Sequence, residues 1–149
     1  MTGDPAISAL ERDLPAYARS LGIGIDSMED GSPVLRIPFG EIVEGRPTVF
    51  HGGATSGLLE NAGYAALRAQ LARAGREHRL KPINVTVQFL SAAKAKPTYA
   101  RGRVLRLGRR NANIEVEAWQ DDRSRPVATA VMNVLMAETG GNGGDGAEA

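Results

Sequence analysis

The segment from Gly52 to about Ala74 constrains the fold more than any other part of the chain. Its first half is apolar around nearly its whole circumference, which is typical of a buried helix rather than a surface helix. Its second half and the residues just after it carry charged side chains, at Arg68, Arg73, Arg76 and Glu77. That end is therefore expected to emerge into solvent. Gly57 and Gly63 lower helix propensity, and inside a buried helix we expect them to allow close packing.

Strand-like segments surround this helix in the sequence. Two precede it, at 22–26 and 33–39, and the turn-forming residues 29–32 join them. Four follow it, at 83–89, 99–107, 114–119 and 127–136. The last is almost continuously apolar, which predicts a central strand that is covered on both faces.

Apolar residues at helical spacing between Pro5 and Ser20 predict a short amphipathic helix, with Asp4 as its N-cap. The complete order is then helix, two strands, long helix and four strands. This order predicts an α+β fold in which one long helix packs on an antiparallel sheet of about six strands. A run of strands without intervening helices excludes a doubly wound α/β fold.

Composition narrows the classes of function. The chain of 149 residues has a formal net charge of +1 and no cysteine. The charge gives no reason to expect nucleic acid or an anionic membrane as a partner, and the missing thiols exclude disulfides and a cysteine nucleophile. Two histidines are too few for a histidine-built zinc site. No apolar stretch approaches the ~20 residues that span a bilayer, and no signal pattern opens the chain, so we expect a cytoplasmic protein.

Length fits a single domain, which we place at residues 1–138. Residues 139–149 are rich in glycine and contain no aliphatic side chain larger than alanine. Such a segment cannot bury apolar surface, so the tail is predicted to be disordered.

Candidate site residues lie at the start of the long helix. Gly52 and Gly53 let a ligand approach bare backbone N–H groups at the positive end of the helix dipole, as in an oxyanion hole. Ser56, Glu60 and Tyr64 are spaced i, i+4, i+8 and form one polar stripe on an otherwise apolar helix. A lone carboxylate in such surroundings needs a partner or a function.

Spacing along the helix has a consequence for assembly. Glu60 lies eight residues after Gly52, which is roughly 12 Å at 1.5 Å per residue. A glutamate side chain does not span that distance. If both residues serve one reaction, they come from two chains whose helices pack antiparallel about a two-fold axis. The spacing therefore predicts a homodimer.

Each candidate also has a structural interpretation. Glu60 could pair with an arginine such as Arg68 or Arg101, and the two glycines could form a plain turn. We expect His51 to cap the helix or to form a buried hydrogen bond, and Ser56 to bond to its own helix backbone. Tyr64 could be a core residue whose hydroxyl group is satisfied at an interface.

His51-Gly52-Gly53, with an acid nine residues after the histidine, resembles the hotdog-fold acyl-CoA thioesterases of the PaaI and hydroxybenzoyl-CoA thioesterase type. The similarity covers about residues 33–136. Weaker matches are the segment 89–93, similar to the strand end after the family's central helix, and the basic turn 105–110 followed by a strand at 114–116.

The resemblance implies a hotdog fold, in which the sheet wraps around the central helix, and hydrolysis of an acyl- or aryl-CoA thioester without a cofactor or metal. Gly52 would polarise the thioester carbonyl through its N–H, Glu60 would act as nucleophile or general base, and His51 would orient the loop or touch the thioester. The expected substrate-binding residues are Gly53, Tyr64, Asn84, Ser91 and Arg109. Cations for the CoA phosphates would come from Lys94, Lys96, Arg109 and Arg110. The expected assembly is a homodimer or a dimer of dimers.

Three positions depart from the family pattern. Gly45 replaces a common Asn or Gln, Thr48 replaces a common glycine, and Tyr64 replaces a smaller Ser or Thr. These departures motivate a second hypothesis, a non-catalytic acyl-CoA-binding or regulatory protein. A structural interaction domain without a small ligand ranks third, because it leaves the paired glycines and Glu60 unexplained.

Overall fold

A computed structural model describes residues 4–139 of the chain. The predicted tail lies outside these residues, except for Thr139. The elements in chain order are α1 (Pro5–Arg12), α2 (Ala16–Ser20), β1 (Gly24–Glu29), β2 (Ser32–Ile37), a 3-10 turn (Glu41–Val43), α3 (Gly52–Arg73), β3 (His78–Phe89), β4 (Thr98–Leu107), β5 (Asn111–Trp119) and β6 (Ala128–Glu138).

The six strands form one antiparallel sheet in the order β1-β2-β4-β5-β6-β3, so that β1 and β3 are its edges. Helix α3 lies against one face of this sheet, and its side chains Leu58, Leu59 and Leu67 are completely buried there. The sheet wraps around the long helix, with short helices at the N-terminus. This arrangement confirms the predicted α+β layout and the hotdog fold that the resemblance implies.

Close packing between α3 and the sheet depends on two glycines. A Cβ atom on Gly102 of β4 would lie 2.9 Å from the carbonyl oxygen of Ala62 and 3.0 Å from the Cα atom of Gly63. A Cβ atom on Gly63 would overlap the sulfur of Met132. The helix backbone therefore approaches the strands directly, which confirms the role expected for Gly63.

The first hairpin turns at Asp30 and Gly31, whose φ angles are 49° and 80°. Two consecutive positive φ angles are what a two-residue type I′ hairpin requires, and Asp-Gly is a favoured pair there. The turn therefore lies where the sequence predicted it.

The N-terminal helix is not continuous from Pro5 to Ser20. It begins as predicted, because the side chain of Asp4 accepts a hydrogen bond from the N–H of Ala6 at 2.9 Å. Pro15 then interrupts it, because proline lacks an N–H and disfavours a helical conformation in the preceding residue. The chain resumes as the short helix α2.

Strands β3 and β6 differ from their predictions. β3 begins five residues earlier than predicted, at His78, and it accommodates Pro82 on an edge strand next to a bulge. β6 is not covered on both faces. Its side chains alternate, with Met132 and Val134 buried under the helix while Val131 on the other face is 49% exposed.

Candidate active site

His51 caps the long helix through its side chain. Its Nδ1 atom accepts a hydrogen bond from the backbone N–H of Gly53 at 2.8 Å, and its backbone is extended, with φ −63° and ψ 138°. Because Nδ1 accepts, the proton of the neutral imidazole lies on Nε2. This confirms the capping interpretation of His51. It also means that the N–H of Gly53, a predicted substrate-binding residue, is already paired.

Gly52 is the first residue of α3, and its backbone N–H forms no hydrogen bond within residues 4–139. Gly52 lies at the edge of a cavity of about 300 Å³ formed by the helix start, the end of β3 and the loop after it. Ser91, also predicted to bind substrate, lines the same cavity. The structure therefore brings Gly52 and Ser91 together around one cavity.

The loop before α3 explains two departures from the family pattern. A Cβ atom on Gly45 would lie 2.9 Å from the Cα atom of His51, so this position has no room for an Asn or Gln side chain. Thr48 has a φ angle of 66°, in the left-handed region that favours glycine. The loop keeps a conformation that suits glycine although the residue is threonine, and the Glu44 carboxylate holds it by accepting from the N–H of Thr48 at 2.8 Å.

Ser56, Glu60 and Tyr64 lie along one half-buried stripe of α3, as their spacing predicted. The residues on either side of each are mostly buried, and the stripe continues one turn further to the exposed Arg68. The hydroxyl group of Ser56 forms no hydrogen bond within the described residues, so the expected bond to its own helix backbone is not present.

Glu60 forms no ion pair within residues 4–139. Both arginines proposed as its structural partners have other contacts. Arg101 donates to the carbonyl oxygen of Glu29 at 3.0 and 3.3 Å, and the guanidinium of Arg68 lies 5.5 Å from the centre of the Tyr64 ring. The structural explanation of Glu60 as half of an ion pair is therefore wrong within one chain.

Tyr64 supplies a neutral hydroxyl group beside this carboxylate. Burial raises the pKa of Tyr64, the negative charge of Glu60 raises it further, and Arg68 opposes them. The phenol therefore stays protonated at neutral pH and can donate a hydrogen bond to a substrate or to water on the stripe.

One chain does not bring Gly52 and Glu60 together. Both lie on α3, eight residues apart, and a straight helix separates them by roughly 12 Å. The edge of β3 that faces away from β6 has no strand beside it in residues 4–139, and it ends next to Gly52 at Phe89. Phe89 is 58% exposed and Ile83 on the same strand is 53% exposed.

Other predicted residues lie elsewhere. Asn84 is on the face of the sheet opposite α3, where Asn133 donates to its side chain at 2.7 Å. Arg109 lies in the turn between β4 and β5, near the C-terminal end of α3, whose 22 residues place that end roughly 30 Å from Gly52. Lys96 pairs with Asp121, whereas Lys94 forms a β-bridge with Val49 beside the cavity.

Sequence reasoning did not assign Arg46 or Phe89 to the site, although both line the cavity at Gly52. Arg46 lies in a loop without periodicity, so no pattern marked it. Phe89 was assigned to the end of a strand, but its position against Gly52 depends on how that strand packs. Within the described residues, no group of three His, Asp or Glu side chains could hold a metal ion, and no helix is long and apolar enough to cross a membrane.

Solved structures with the same fold cover most of the chain. A protein from Chromobacterium violaceum is 27% identical, with a TM-score of 0.69 over 91% of this chain and 92% of its own. A phenylacetic acid degradation-related protein from Ralstonia eutropha is 25% identical, with a TM-score of 0.71 over 87% of this chain and 98% of its own. A thioesterase from Haemophilus influenzae is 17% identical, with a TM-score of 0.77 over 91% and 92%.

No curated protein sequence matches the chain significantly. The family profile of the acyl-CoA thioesterase N-terminal domain matches residues 44–135, which is more than half of the chain. The matched region begins in the loop before α3 and includes His51, Gly52 and Glu60. The chain therefore belongs to the acyl-CoA thioesterase family, as its resemblance to the hotdog-fold thioesterases implied.

Proposed function

We propose that the protein is a homodimer that hydrolyses acyl-CoA thioesters at two sites shared between its subunits. In each site Gly52 of one subunit binds the thioester carbonyl oxygen, and Glu60 of the partner subunit carries out or assists the attack on the carbonyl carbon. The observation that carries this proposal is the half-buried Glu60 carboxylate, which forms no ion pair within residues 4–139. It lies on the helix that begins with Gly52, whose N–H forms no hydrogen bond within the same residues.

Strand β3 supports the dimer. An unpaired strand edge with exposed apolar residues is a template for pairing with another strand, and here it ends beside the cavity at Gly52. Antiparallel pairing of β3 with its copy, about a two-fold axis perpendicular to the sheet, would place both α3 helices antiparallel on the same face. Glu60 of each subunit would then face the helix start of the other.

The chemistry needs few groups. The Gly52 N–H and the positive end of the helix dipole stabilise the negative charge that develops on the carbonyl oxygen. Glu60 either attacks the carbonyl carbon and forms a mixed anhydride that water then hydrolyses, or takes a proton from a water molecule that attacks directly. In both routes the C–S bond breaks, CoA leaves as a thiolate, and the acyl group leaves as a free acid.

The first experiment measures CoA release from a panel of aromatic and aliphatic acyl-CoAs with a thiol-detecting dye. We expect Glu60→Gln to keep the fold and the dimer and to lower kcat by about 10²- to 10⁴-fold on the best substrate, because general-base groups contribute that much. Glu41→Gln, at an exposed glutamate of the 3-10 turn, is the matched control and should leave kcat unchanged. Near-normal turnover of Glu60→Gln would contradict the proposal.

Subunit mixing tests whether the site is shared. A heterodimer of Glu60→Gln and Gly52→Pro subunits contains one site with both defects and one site with neither. Random mixing of the two weak variants should therefore restore about a quarter of the wild-type activity. If one chain formed the complete site, every site in the mixture would carry a defect and no activity would return.

Binding measurements separate the proposal from the non-catalytic hypothesis. A wild-type protein that binds acyl-CoA but hydrolyses no member of the panel would be a binding or regulatory protein. A ligand at a hundred times its Kd stabilises the folded state by about 2.7 kcal/mol, so binding would be visible as a raised Tm. If no acyl-CoA raised the Tm or were hydrolysed, the structural interaction domain would be the better explanation.

A further inference from the structure

A groove lies at the opposite end of α3 from Gly52. It lies between the C-terminal half of α3 and the first residues of β3, and its volume is about 820 Å³. Leu71 and Leu80 form apolar parts of its wall, and the polar parts include Arg68, Arg76, Glu77 and His78. We call it the cationic groove.

Positive side chains outnumber negative ones in the lining of this groove. Of the five cationic side chains in residues 68–81, Arg68 and Arg76 line the groove, and Glu77 lines it as well. Neither Arg68 nor Arg76 forms an ion pair within residues 4–139. An anionic ligand in the groove would therefore meet two guanidinium groups that no ion pair within the described residues engages.

The groove wall also holds an unsatisfied polar atom. Arg76 donates to Nε2 of His78 at 3.3 Å and to the carbonyl oxygens of Gly108 and Arg109 at 3.2 Å each. Nε2 of His78 accepts, so its Nδ1 carries the proton, and this buried atom has no hydrogen-bond partner within the described residues. These bonds hold the guanidinium of Arg76 at the groove wall. Beside it, Nδ1 of His78 has no hydrogen-bond partner within the described residues.

The groove continues the stripe that carries Glu60. Arg68 follows Tyr64 by one turn, contacts its ring, and lines the groove. Along the helix, Arg68 is about 12 Å from Glu60, and the last helical residue, Arg73, is about 20 Å from it. A ligand that lies along the stripe with its reacting end at Glu60 therefore reaches into the groove.

The dimensions of CoA fit this path. About thirteen bonds join the thioester sulfur to the first phosphorus atom, and they span about 15 Å if they extend as far as a peptide backbone. From Glu60, that length ends between Arg68 and the end of the helix. The apolar walls suit the pantetheine arm, and the cations suit the pyrophosphate and the 3′-phosphate.

We propose that the cationic groove binds the phosphate-bearing nucleotide end of the CoA thioester whose carbonyl carbon is attacked by Glu60 of the same chain. This inference rests on the proposed function. It replaces Lys94 and Lys96 as the principal phosphate contacts, and it makes the groove the part of the enzyme that distinguishes CoA thioesters from thioesters without a nucleotide.

The test compares one acyl group on CoA with the same acyl group on N-acetylcysteamine, which has no phosphate. Arg68→Gln and Arg76→Gln should raise the KM for the CoA thioester about tenfold or more and leave its kcat unchanged. The KM for the N-acetylcysteamine thioester should change much less, because that substrate carries no phosphate for the arginines to bind. Arg68→Lys should restore much of the CoA preference, because it restores the charge. Arg12→Gln, at the end of α1, is the matched control and should affect neither substrate.

Three results would overturn the inference. The KM for the CoA thioester could stay at its wild-type value in both arginine variants, both substrates could be affected equally, or the variants could lose the dimer while the KM stays unchanged. The last result would make the groove a subunit contact. Calorimetry with CoA alone keeps this test separate from the proposed function. If no thioester were hydrolysed but CoA bound with an affinity that depends on Arg68 and Arg76, the groove would stand and the catalytic proposal would fall.

Discussion

The side chain of His51 accepts a hydrogen bond from the N–H of Gly53, whereas the N–H of Gly52, beside the cavity, forms no hydrogen bond within residues 4–139. The first N–H groups of a helix have no partner within the helix, so a side-chain cap usually satisfies one of them. Here the side chain of His51 satisfies only the N–H of Gly53, the second of the two glycines.

Gly52→Pro tests whether the N–H of Gly52 binds the carbonyl oxygen of the substrate. Proline has no N–H, and it is favoured at the first position of a helix. The residue before a proline must be extended, and His51 already is, with φ −63° and ψ 138°. We therefore expect Gly52→Pro to keep the fold and to lower kcat by about 10²- to 10³-fold, as the loss of an oxyanion donor does.

Gly52→Ala is the control for that experiment, because it keeps the N–H. The added Cβ atom would lie 3.4 Å from Cζ of Phe89, an ordinary contact with an exposed side chain. Kinetics on the best acyl-CoA and circular dichroism of both variants provide the measurement. If the proline variant turned over at the rate of the alanine variant, Gly52 would not be the oxyanion donor.

We expect the substitution of Thr48 by glycine to stabilise the folded protein. Its φ angle of 66° is unfavourable for a β-branched residue by roughly 1–2 kcal/mol, whereas glycine adopts it freely. Glycine also makes the unfolded chain more flexible, which costs about 0.5–1 kcal/mol. Thr48→Gly should therefore raise the free energy of unfolding by up to about 1 kcal/mol, measured by urea denaturation.

A threonine in an ordinary strand conformation gives the comparison for Thr48. Thr129 of β6 has no positive φ angle, so Thr129→Gly should lower the free energy of unfolding. A loss of stability in both variants would show that the loop does not strain Thr48. The result would also decide whether the departure from glycine at this position affects stability.

Local signals predicted the elements of the fold that depend on nearby residues. The helix predicted from Gly52 to about Ala74 is Gly52–Arg73 in the structure. It could be predicted because the glycines at its start and its apolar circumference are properties of consecutive residues. The turn at Asp30 and Gly31 is equally local. The start of β3 was missed because its first five residues contain two basic side chains and a proline. Only pairing with β6, more than fifty residues away, makes them a strand.

The properties of the candidate site also divide into those that local spacing predicted and those that depend on contacts between distant residues. Helical spacing was enough to place Glu60 and Tyr64 on one stripe, and it was enough to separate Gly52 from Glu60. It could not show whether Glu60 forms an ion pair, because the position of Arg101 depends on where β4 lies next to β2. Alternation in β3 grouped Asn84 with its neighbours, but it could not show which face of the sheet the helix covers.

Gly102→Ala tests how α3 is held against the sheet. The added Cβ atom would lie 2.9 Å from the carbonyl oxygen of Ala62 and 3.0 Å from the Cα atom of Gly63, and neither backbone atom can turn aside as a flexible side chain can. The helix must shift, so we expect the free energy of unfolding to fall by about 1–3 kcal/mol, as overpacked cores show. Gly40→Ala is the control, because no atom lies within 4 Å of its added Cβ atom. Equal stability of the two variants would mean that the helix is not seated on Gly102. A loss confined to Gly102→Ala would show that this contact fixes the helix that carries both Gly52 and Glu60.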